Sequence, residues 1–448
     1  MRYRRSKGTP SAGVTPPERR TKTGPIIWSQ LFLRTGSSAG VLVVGGYFVY
    51  LRDQGDAVNS VLLGGVSALV YVAELLWAPL AGSLSDRRGR KLFLLAGPAL
   101  AAAAVLLIPL GAATMAILPV GLVVGLVGLA RLVEGVGAAV SATATLGFLA
   151  ENTDGQPVLR GRSMSFFELA SSIGIAAGAV LGPLLWGRFR LSAFILLAGV
   201  YVIAAVLVLG VHERPRRQTV GAVFSMRRSL QTLSYRPLAL FSLPWIAVNA
   251  ILGVWISAQI EFVLAARLHV PGQQFVGSLH GRATTLSEIL GAYVLWFAIC
   301  VVIWAFMLGR LRRLPTLLIT VSGSIVASVG LIALNHGSSR IVFIPLVLLG
   351  VFLEAGFTPA ALAYLADISE RFSRDRGLLM GLYSIMLGIG QLIGAGLGGL
   401  FAQLAYFDGL AYLTVILASI AMGGLAVSML VQRSRRDGMM SEIRRTPE

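Results

Sequence analysis

The chain has 448 residues, of which 56% are hydrophobic and 13% are charged, whereas a soluble domain carries about a quarter charged residues. This composition argues against an ordinary soluble protein, although the formal net charge of +18 would favour a nucleic-acid partner in one. A single cysteine, Cys300, excludes an intrachain disulfide, and the four histidines lack the spacing of metal ligands, so a metal site has no support.

Residues 1–25 are basic and rich in Pro, Ser, Thr and Gly, a composition typical of a disordered tail. After them, apolar runs of about 20 residues recur, which is the length that crosses a bilayer. The polar segment 212–236 separates six runs from six, so we predict bundles at 26–211 and 237–432 and a tail at 433–448. The twelve predicted spans are 27–50, 58–81, 92–111, 118–148, 163–187, 192–211, 238–262, 286–308, 316–335, 341–366, 377–404 and 410–431.

Most of the 38 lysine and arginine residues fall in segments on one side of these spans. Positively charged loops stay in the cytoplasm, so both termini are predicted to be cytoplasmic and the protein to lie in the cell (inner or plasma) membrane. Anionic lipid headgroups then account for the net charge, and a nucleic-acid partner is not expected.

The two halves resemble each other. When 151–187 is placed on 367–403 without gaps, ten of the 37 positions are identical. Two glycine triplets fall in register, and Pro183 follows the first. Parallel repeats of six helices are typical of transporters whose halves move about a central site. The six glycines, predicted to pack helices, are Gly174, Gly178 and Gly182, and Gly390, Gly394 and Gly398.

The polar segment between spans 2 and 3 reads GSLSDRRGRK. Its glycines, Gly82 and Gly89, are predicted to allow tight turns and close backbone approach, and Arg87 and Arg90 to sit among the headgroups. Asp86 contributes nothing to cytoplasmic retention, which indicates a further role. The segment resembles the signature G-x-L-x-D-R-x-G-R-K that the major facilitator superfamily carries between helices 2 and 3, and all its fixed positions match.

The resemblance implies a conformational latch, in which Asp86 caps the cytoplasmic N-terminus of helix 11 while the transporter faces outward and releases it afterwards. A carboxylate there meets unpaired N–H groups and the helix dipole. The receiving end would lie near Gly377, and Arg90 would pair with Glu151 at the end of span 4. The second half has only a remnant, with Arg313 in the position of the aspartate, so the latch is expected on one side only.

Two further segments extend the resemblance over the first half. RLVEGVGAA (131–139) is similar to the helix-4 signature of the family, whose arginine is tied to proton transfer. GAVLGPLLWG (178–187) is similar to the helix-5 signature typical of exporters, except that Trp186 replaces the first of its two closing glycines. The resemblance therefore implies an all-α membrane protein with the major facilitator fold, acting as a proton-coupled exporter.

Charged residues within the predicted spans are costly unless they meet a partner or water. In the resembled fold, spans 3, 6, 9 and 12 lie outermost, and the charges fall in other spans. Arg34 either pairs with Glu74 or extends to the interface. Glu354 has no basic residue in its own span; such a carboxyl can exchange a proton near neutral pH, or it bonds a neighbouring helix. The charges considered are Arg34, Glu74, Arg131, Glu134, Glu168 and Glu354.

Arg131 and Glu134 lie three residues apart on one polar face of span 4. They serve proton transfer, as the resemblance implies for the arginine, or they satisfy each other as an i,i+3 pair. Glu354 is the first candidate for the proton carrier, and Glu168 is close to the interface.

These patterns predict a secondary transporter that moves a small solute by alternating access, with proton-coupled efflux of a drug-like or amphipathic compound as the favoured activity. It would act as a monomer, without cofactor or metal. The alternatives are a proton symporter or facilitator for uptake, or a lipid flippase of the same fold. An integral membrane enzyme or channel is disfavoured, because no catalytic cluster or nucleotide-binding loop is evident.

Overall fold

The computed structural model describes residues 23–113, 119–153, 157–211, 236–369 and 376–443. Within these ranges the chain is almost entirely helical, with no β-strand and one isolated bridge between Val270 and Gln273. This confirms the predicted all-α fold class. The basic tail up to residue 22, the linker 212–235 and the end of the C-terminal tail lie outside the described residues.

Six helices correspond to predicted spans 1 to 6. Local residues set some of their limits. Asn59 caps span 2 by accepting a hydrogen bond from the backbone N–H of Leu62 at 2.9 Å, and Pro119 directly precedes span 4. The six helices run Gly24–Asp53, Ser60–Arg88, Arg90–Ala113, Val120–Asn152, Pro157–Phe189 and Ser192–Leu209.

The second half contains two interrupted spans. Span 7 breaks after Trp255. Span 10 breaks at Gly356, where an added Cβ atom would overlap with the indole of Trp304, and Pro359 follows, lacking the N–H that would bond the preceding turn. The helices are Arg236–Trp255 and Gln259–Ala265 (span 7), Ala283–Met307 (span 8), Arg313–Asn335 (span 9), Arg340–Ala355 and Phe357–Ser369 (span 10), and Arg376–Ile443 (spans 11 and 12).

Eleven helical stretches in the described residues are long and apolar enough to cross a membrane, where twelve were predicted. The difference lies in Arg376–Ile443, whose backbone leaves the helical conformation at Ala405 and Tyr406. Gly409 lies against the backbone of Phe401, eight residues earlier, which shows that the chain reverses direction there. The two arms of this helix are spans 11 and 12, and the second arm stays helical beyond its predicted end.

The same pairs of spans are in contact in both halves. Span 1 packs on spans 5 and 6 as span 7 packs on spans 11 and 12, and span 4 contacts spans 2 and 3 as span 10 contacts spans 8 and 9. Two large buried apolar clusters follow this division, one mainly in spans 1 to 6 and one mainly in spans 7 to 12. The sequence repeat therefore corresponds to a repeated packing arrangement.

The predicted glycine triplets lie at these repeated contacts. A Cβ atom added to Gly178 would come within 2.5 Å of the Thr35 carbonyl oxygen in span 1, and one added to Gly390 within 2.5 Å of the Ile246 carbonyl oxygen in span 7. Gly174 and Gly182 meet span 1 in the same way, and Gly394 meets span 7. Small residues let transmembrane helices approach backbone to backbone.

Gly398 makes a less close contact than the other glycines of the two triplets. A Cβ atom at Gly398 would lie 3.7 Å from Cα of Val254, an ordinary van der Waals distance. Pro183 lies inside the helix of span 5 without ending it. Transmembrane helices tolerate proline because their neighbours satisfy the freed backbone groups.

The outer surface carries large apolar side chains. Phe306, Ile341 and Leu404 are 80%, 87% and 71% exposed. Such side chains are stable in contact with lipid hydrocarbon rather than water. Together with the apolar helices, this exterior identifies a multi-pass membrane protein.

The bundle has two ends. We call the end with residues 82–91, 150–153 and 308–313 the basic end, and the end with residues 53–59, 188–191 and 266–282 the opposite end. Hydrogen bonds link the two halves toward the opposite end. Gln259 donates to the Ser60 carbonyl oxygen at 2.9 Å, and Ser287 donates to the carbonyl oxygen of Val180.

Further contacts between the halves continue from there. The backbones of Gly64 in span 2 and Gly399 in span 11 approach closely enough that a Cβ atom on either would meet the other at 2.8 Å. Span 5 also contacts span 8, and span 1 contacts span 7. The two halves are therefore packed together toward the opposite end.

The glycine contacts lead to a stability prediction. A Cβ atom at Gly394 would overlap with the backbone of Ala250, whereas one at Gly396 would meet nothing within 4 Å. We expect Gly394→Ala to lower the free energy of unfolding by about 1–3 kcal/mol, as overpacking does. Gly396→Ala is the matched control and should leave it equal or raise it, because alanine favours the helix. Thermal unfolding in detergent would measure both, and equal effects would contradict the packing described.

Candidate functional site

The segment between spans 2 and 3 is shorter than predicted. Residues 82–88 are still helical, so the connection consists of Gly89 alone. Gly89 has φ +96°, a conformation that L side chains rarely adopt. Gly82 was predicted to form a turn or a close contact, and this is wrong, because it lies inside the helix and a Cβ atom there would meet nothing within 4 Å. The last turns of this helix are charged and lie beyond the apolar span, so the helix continues past the predicted end of span 2.

The turn at Gly89 places Arg90 between two carboxylates. Its Nη2 atom lies 2.8 Å from Oδ1 of Asp86 and 2.7 Å from Oε1 of Glu151. The Arg90 side chain is only 11% exposed, while the two carboxylates are about half exposed. Charge-assisted hydrogen bonds of this length tie the end of span 2 and the start of span 3 to the end of span 4. Arg87, by contrast, is exposed.

A small residue on span 4 makes room for this arginine. A Cβ atom at Gly147 would overlap with the guanidinium group of Arg90. Gly147 was not predicted as a site residue, because a glycine within a glycine-rich span gives no distinctive signal. The basic end of the first half is thus built around one nearly buried arginine.

The predicted receiving end of the latch lies near the start of span 11. A helix begins at Arg376, so Gly377 is at a helix N-terminus, as the latch requires. The side chains of 366–384 lie outside the described residues. The Asp86 carboxylate, in this structure, accepts a hydrogen bond from Arg90.

A second charged group lies deep within the first half. Arg131 and Glu134 form an ion pair within span 4, and the Tyr201 hydroxyl in span 6 donates to Oε1 of Glu134 at 2.7 Å. Arg131 and Glu134 are 2% and 4% exposed. Both oxygens of the carboxylate therefore have partners, which buried charges require. The tyrosine was not predicted, because a single Tyr in an apolar span is usually a packing residue.

The remaining charges of the first half gather near this group. Arg34 and Glu74 both interact electrostatically with the Tyr71 hydroxyl, and Glu168 interacts with Arg34. Arg34 and Glu74 form no ion pair with each other among the described side chains. Nε of Arg34 is buried without a hydrogen-bond partner there. Polar groups of spans 1, 2, 4, 5 and 6 therefore share one region.

Glu354 in span 10 is directed toward spans 8 and 9. It faces Ser324 of span 9 and interacts electrostatically with Tyr293 of span 8. Spans 9 and 10 pack closely here, since a Cβ atom at Gly323 would lie 2.5 Å from the backbone nitrogen of Glu354. Glu354 therefore lies at a close contact between two helices.

Two carboxylates within predicted spans 7 and 8 were missed by the sequence analysis. Glu261 is 1% exposed and lies directly after the break in span 7, and Glu288 is exposed near the start of span 8. The same search for charged residues within spans would have found both. Among the described residues of the second half, Glu261 is the most deeply buried carboxylate.

Loops at the opposite end hold additional polar contacts. Asp408, which is 4% exposed, lies 2.7 Å from Nε2 of His336 and accepts a hydrogen bond from Asn335 at 2.8 Å. Asp53 of the first half lies 3.6 Å from Nδ1 of His280 in the second half. The first contact orders the second half at this end, and the second joins the two halves.

The chain matches the family model described as Major Facilitator Superfamily over residues 27–275 and 268–441. No curated protein sequence matches it significantly. Three solved structures share its fold at low sequence identity: the nucleoside transporter NupG (13% identity, TM-score 0.65, covering 91% of this chain and 98% of that one), a POT family transporter in complex with a thioalcohol-conjugated peptide (13%, 0.60, 92% and 96%) and a D-xylose–proton symporter (16%, 0.64, 89% and 96%). With its repeated bundles and a family match that spans nearly the whole chain, the protein belongs to the Major Facilitator Superfamily.

Proposed function

We propose that this transporter moves a small drug-like or amphipathic solute out of the cell by alternating access, in exchange for protons. The observation that carries the proposal is the arrangement of the two bundles. Each is held together internally by close helix contacts, and they meet toward one end next to intramembrane charges. Such a pair of bodies can open a shared pocket to either side in turn.

Charge distribution supports the orientation. Lysine and arginine concentrate at the basic end, which we therefore place in the cytoplasm, together with both termini. The contacts toward the opposite end then close the pocket on the outer side. The present structure would be an inward-facing or occluded state, and the proton gradient, with no bound cofactor, would drive the cycle of a monomer.

The helix-5 segment supports export. Trp186, which departs from the family signature, is 3% exposed and is accommodated by Gly46 of span 1, where a Cβ atom would overlap with the indole. Span 5 can therefore pack closely against span 1 at Trp186, because a glycine on span 1 makes room for the indole. Proton symport for uptake is the second candidate, because one protein of the same fold is a D-xylose–proton symporter.

The buried ionisable groups support proton coupling. Arg131, Glu134 and Tyr201 form a connected group in the first half, whereas Glu354 lies near Ser324 and takes part in none of the ion pairs found among the described side chains. We propose that Glu354 carries the coupled proton and that Ser324 orients its carboxyl group. Arg131 would act by stabilising the ionised form of Glu134.

The direction of coupling can be measured in reconstituted vesicles. We would load them with a pH-sensitive dye and add candidate drug-like compounds on one side. For antiport, protons leave the compartment that the compound enters, so its interior becomes more alkaline. Acidification of that compartment would indicate symport, and no proton movement with a transported compound would contradict proton coupling.

Replacing the proposed proton carrier should uncouple transport. In Glu354→Gln we expect solute transport driven by a pH gradient to fall at least tenfold, because the amide cannot bind and release the proton, while exchange of labelled for unlabelled solute continues. Glu288→Gln is the matched control, since Glu288 is exposed in span 8, and should behave like the unmodified protein. Unchanged gradient-driven transport in Glu354→Gln would remove this residue from the mechanism.

The latch at the basic end makes a conformational prediction. We propose that Asp86 caps span 11 in the outward-facing state, so Asp86→Asn would remove that interaction. A helix-terminus interaction of about 0.3–1 kcal/mol corresponds to a roughly two- to fivefold shift toward the inward-facing state. Distances between spin labels at Ser83 and Leu311, on the two halves, would report opening of the basic end. Arg88→Gln, at an exposed position in the same turn, is the control and should cause no shift.

A further inference from the structure

The short second helix of span 7 is packed into the other half of the protein. Residues Gln259–Ala265 follow the break, and Ala258, Phe262 and Ala266 belong to the buried apolar cluster of the first half. A Cβ atom at Gly45 of span 1 would lie 2.9 Å from the carbonyl oxygen of Ala258. This helix therefore forms part of the contact that closes the opposite end.

Glu261 is enclosed in this contact. Its side chain is 1% exposed, and its Oε2 atom is buried without a hydrogen-bond partner in the described part of the chain. A Cβ atom at Gly45 would lie 3.3 Å from Cβ of Glu261, so the backbone of span 1 covers it. Glu261 also takes part in none of the ion pairs found among the described side chains.

Two of the charged groups nearby have other partners. From span 1, Arg52 lies 5.8 Å from the Phe262 ring and donates to the Val58 carbonyl oxygen at 3.1 Å. Asp53 accepts a hydrogen bond from the Arg267 backbone at 3.4 Å. The first half contributes the titratable side chains Tyr47, Tyr50, Arg52 and Asp53 of span 1 and Asp56 of the loop after it, and Oδ2 of Asp56 is also buried without a hydrogen-bond partner among the described residues. The loop after span 7 contributes Arg267 and His280, and spans 2 and 11 contribute Ser60, Gly64, Ala395 and Gly399, which do not titrate.

An ionised carboxylate that is enclosed without a cation is unfavourable, whereas the neutral acid costs far less. Separation of the halves at this end would expose Glu261 to water, where the ionised form is stable. We propose that Glu261 is a proton-binding site, distinct from Glu354, whose protonation is coupled to closure of the two halves at the opposite end. The inference rests on the proposed alternating-access function and adds a second protonation site to it.

The test measures conformation rather than transport. Full-length protein carrying Cys300→Ser would be spin-labelled at Gln54 and His269, which are exposed on the two halves at the opposite end, and reconstituted in lipid. The fraction with the short distance would be recorded from pH 5 to pH 9. We expect it to rise as the pH falls, with the closed-to-open ratio changing by up to about tenfold per pH unit for one proton.

The variants separate Glu261 from other groups. Glu261→Gln mimics the neutral acid, so it should stay closed at every pH, while Glu261→Asp keeps a carboxyl group and should keep a pH-dependent change. Glu288→Gln should match the unmodified protein. If Glu261→Gln retained the original pH dependence, the effect would belong to another group, such as the His280–Asp53 pair, and the proposal would be overturned. Closure that responds to sodium but not to pH would overturn it as well.

The same vesicles distinguish this inference from the proposed function. Compound-driven proton flux in the unmodified protein, together with unchanged pH dependence in Glu261→Gln, would refute the role of Glu261 and leave proton-coupled transport standing. Absence of proton flux, together with a pH-independent closed state in Glu261→Gln, would refute the transport proposal and leave the protonation site standing.

Discussion

Close backbone contact between helices is the interaction on which the rest of the structure depends. Lipid provides no hydrophobic force that would hold apolar helices together, so the helices of each half are held by van der Waals contact between closely packed surfaces. Gly178 lets span 5 lie against span 1, and Gly394 does the same for spans 11 and 7. The two bundles can then move as bodies, and the interactions between them can change while those within them persist.

The treatment of buried charge differs between the interior of a bundle and the contact between bundles. Inside the first half, Glu134 is fully satisfied by Arg131 and Tyr201, which suits a part that keeps its arrangement. Glu261, at the contact between halves, has a buried oxygen without a partner among the described residues. If the two halves separate here, as proposed, this unsatisfied carboxyl group would make the closed state depend on its protonation.

Apolar run length was enough to predict the spans, because it reflects the thickness of the bilayer, and the internal repeat indicated the repeated packing of the two halves. The helical extension through Gly82 and the breaks in spans 7 and 10 were not predictable in this way. The break in span 10 involves a neighbour distant in sequence, because Trp304 lies beside Gly356. Arg90 beside Glu151 followed from family resemblance, whereas Glu261 could have been found by counting charges within span 7.

The central claim is that the two halves open one end as they close the other. The most direct measurement follows both ends at once in the same reconstituted sample, with label pairs at Ser83 and Leu311 for the basic end and at Gln54 and His269 for the opposite end. As solute and pH are varied, the account predicts that one distance lengthens whenever the other shortens. Distances that change together, or one that stays fixed while solute is transported, would contradict it.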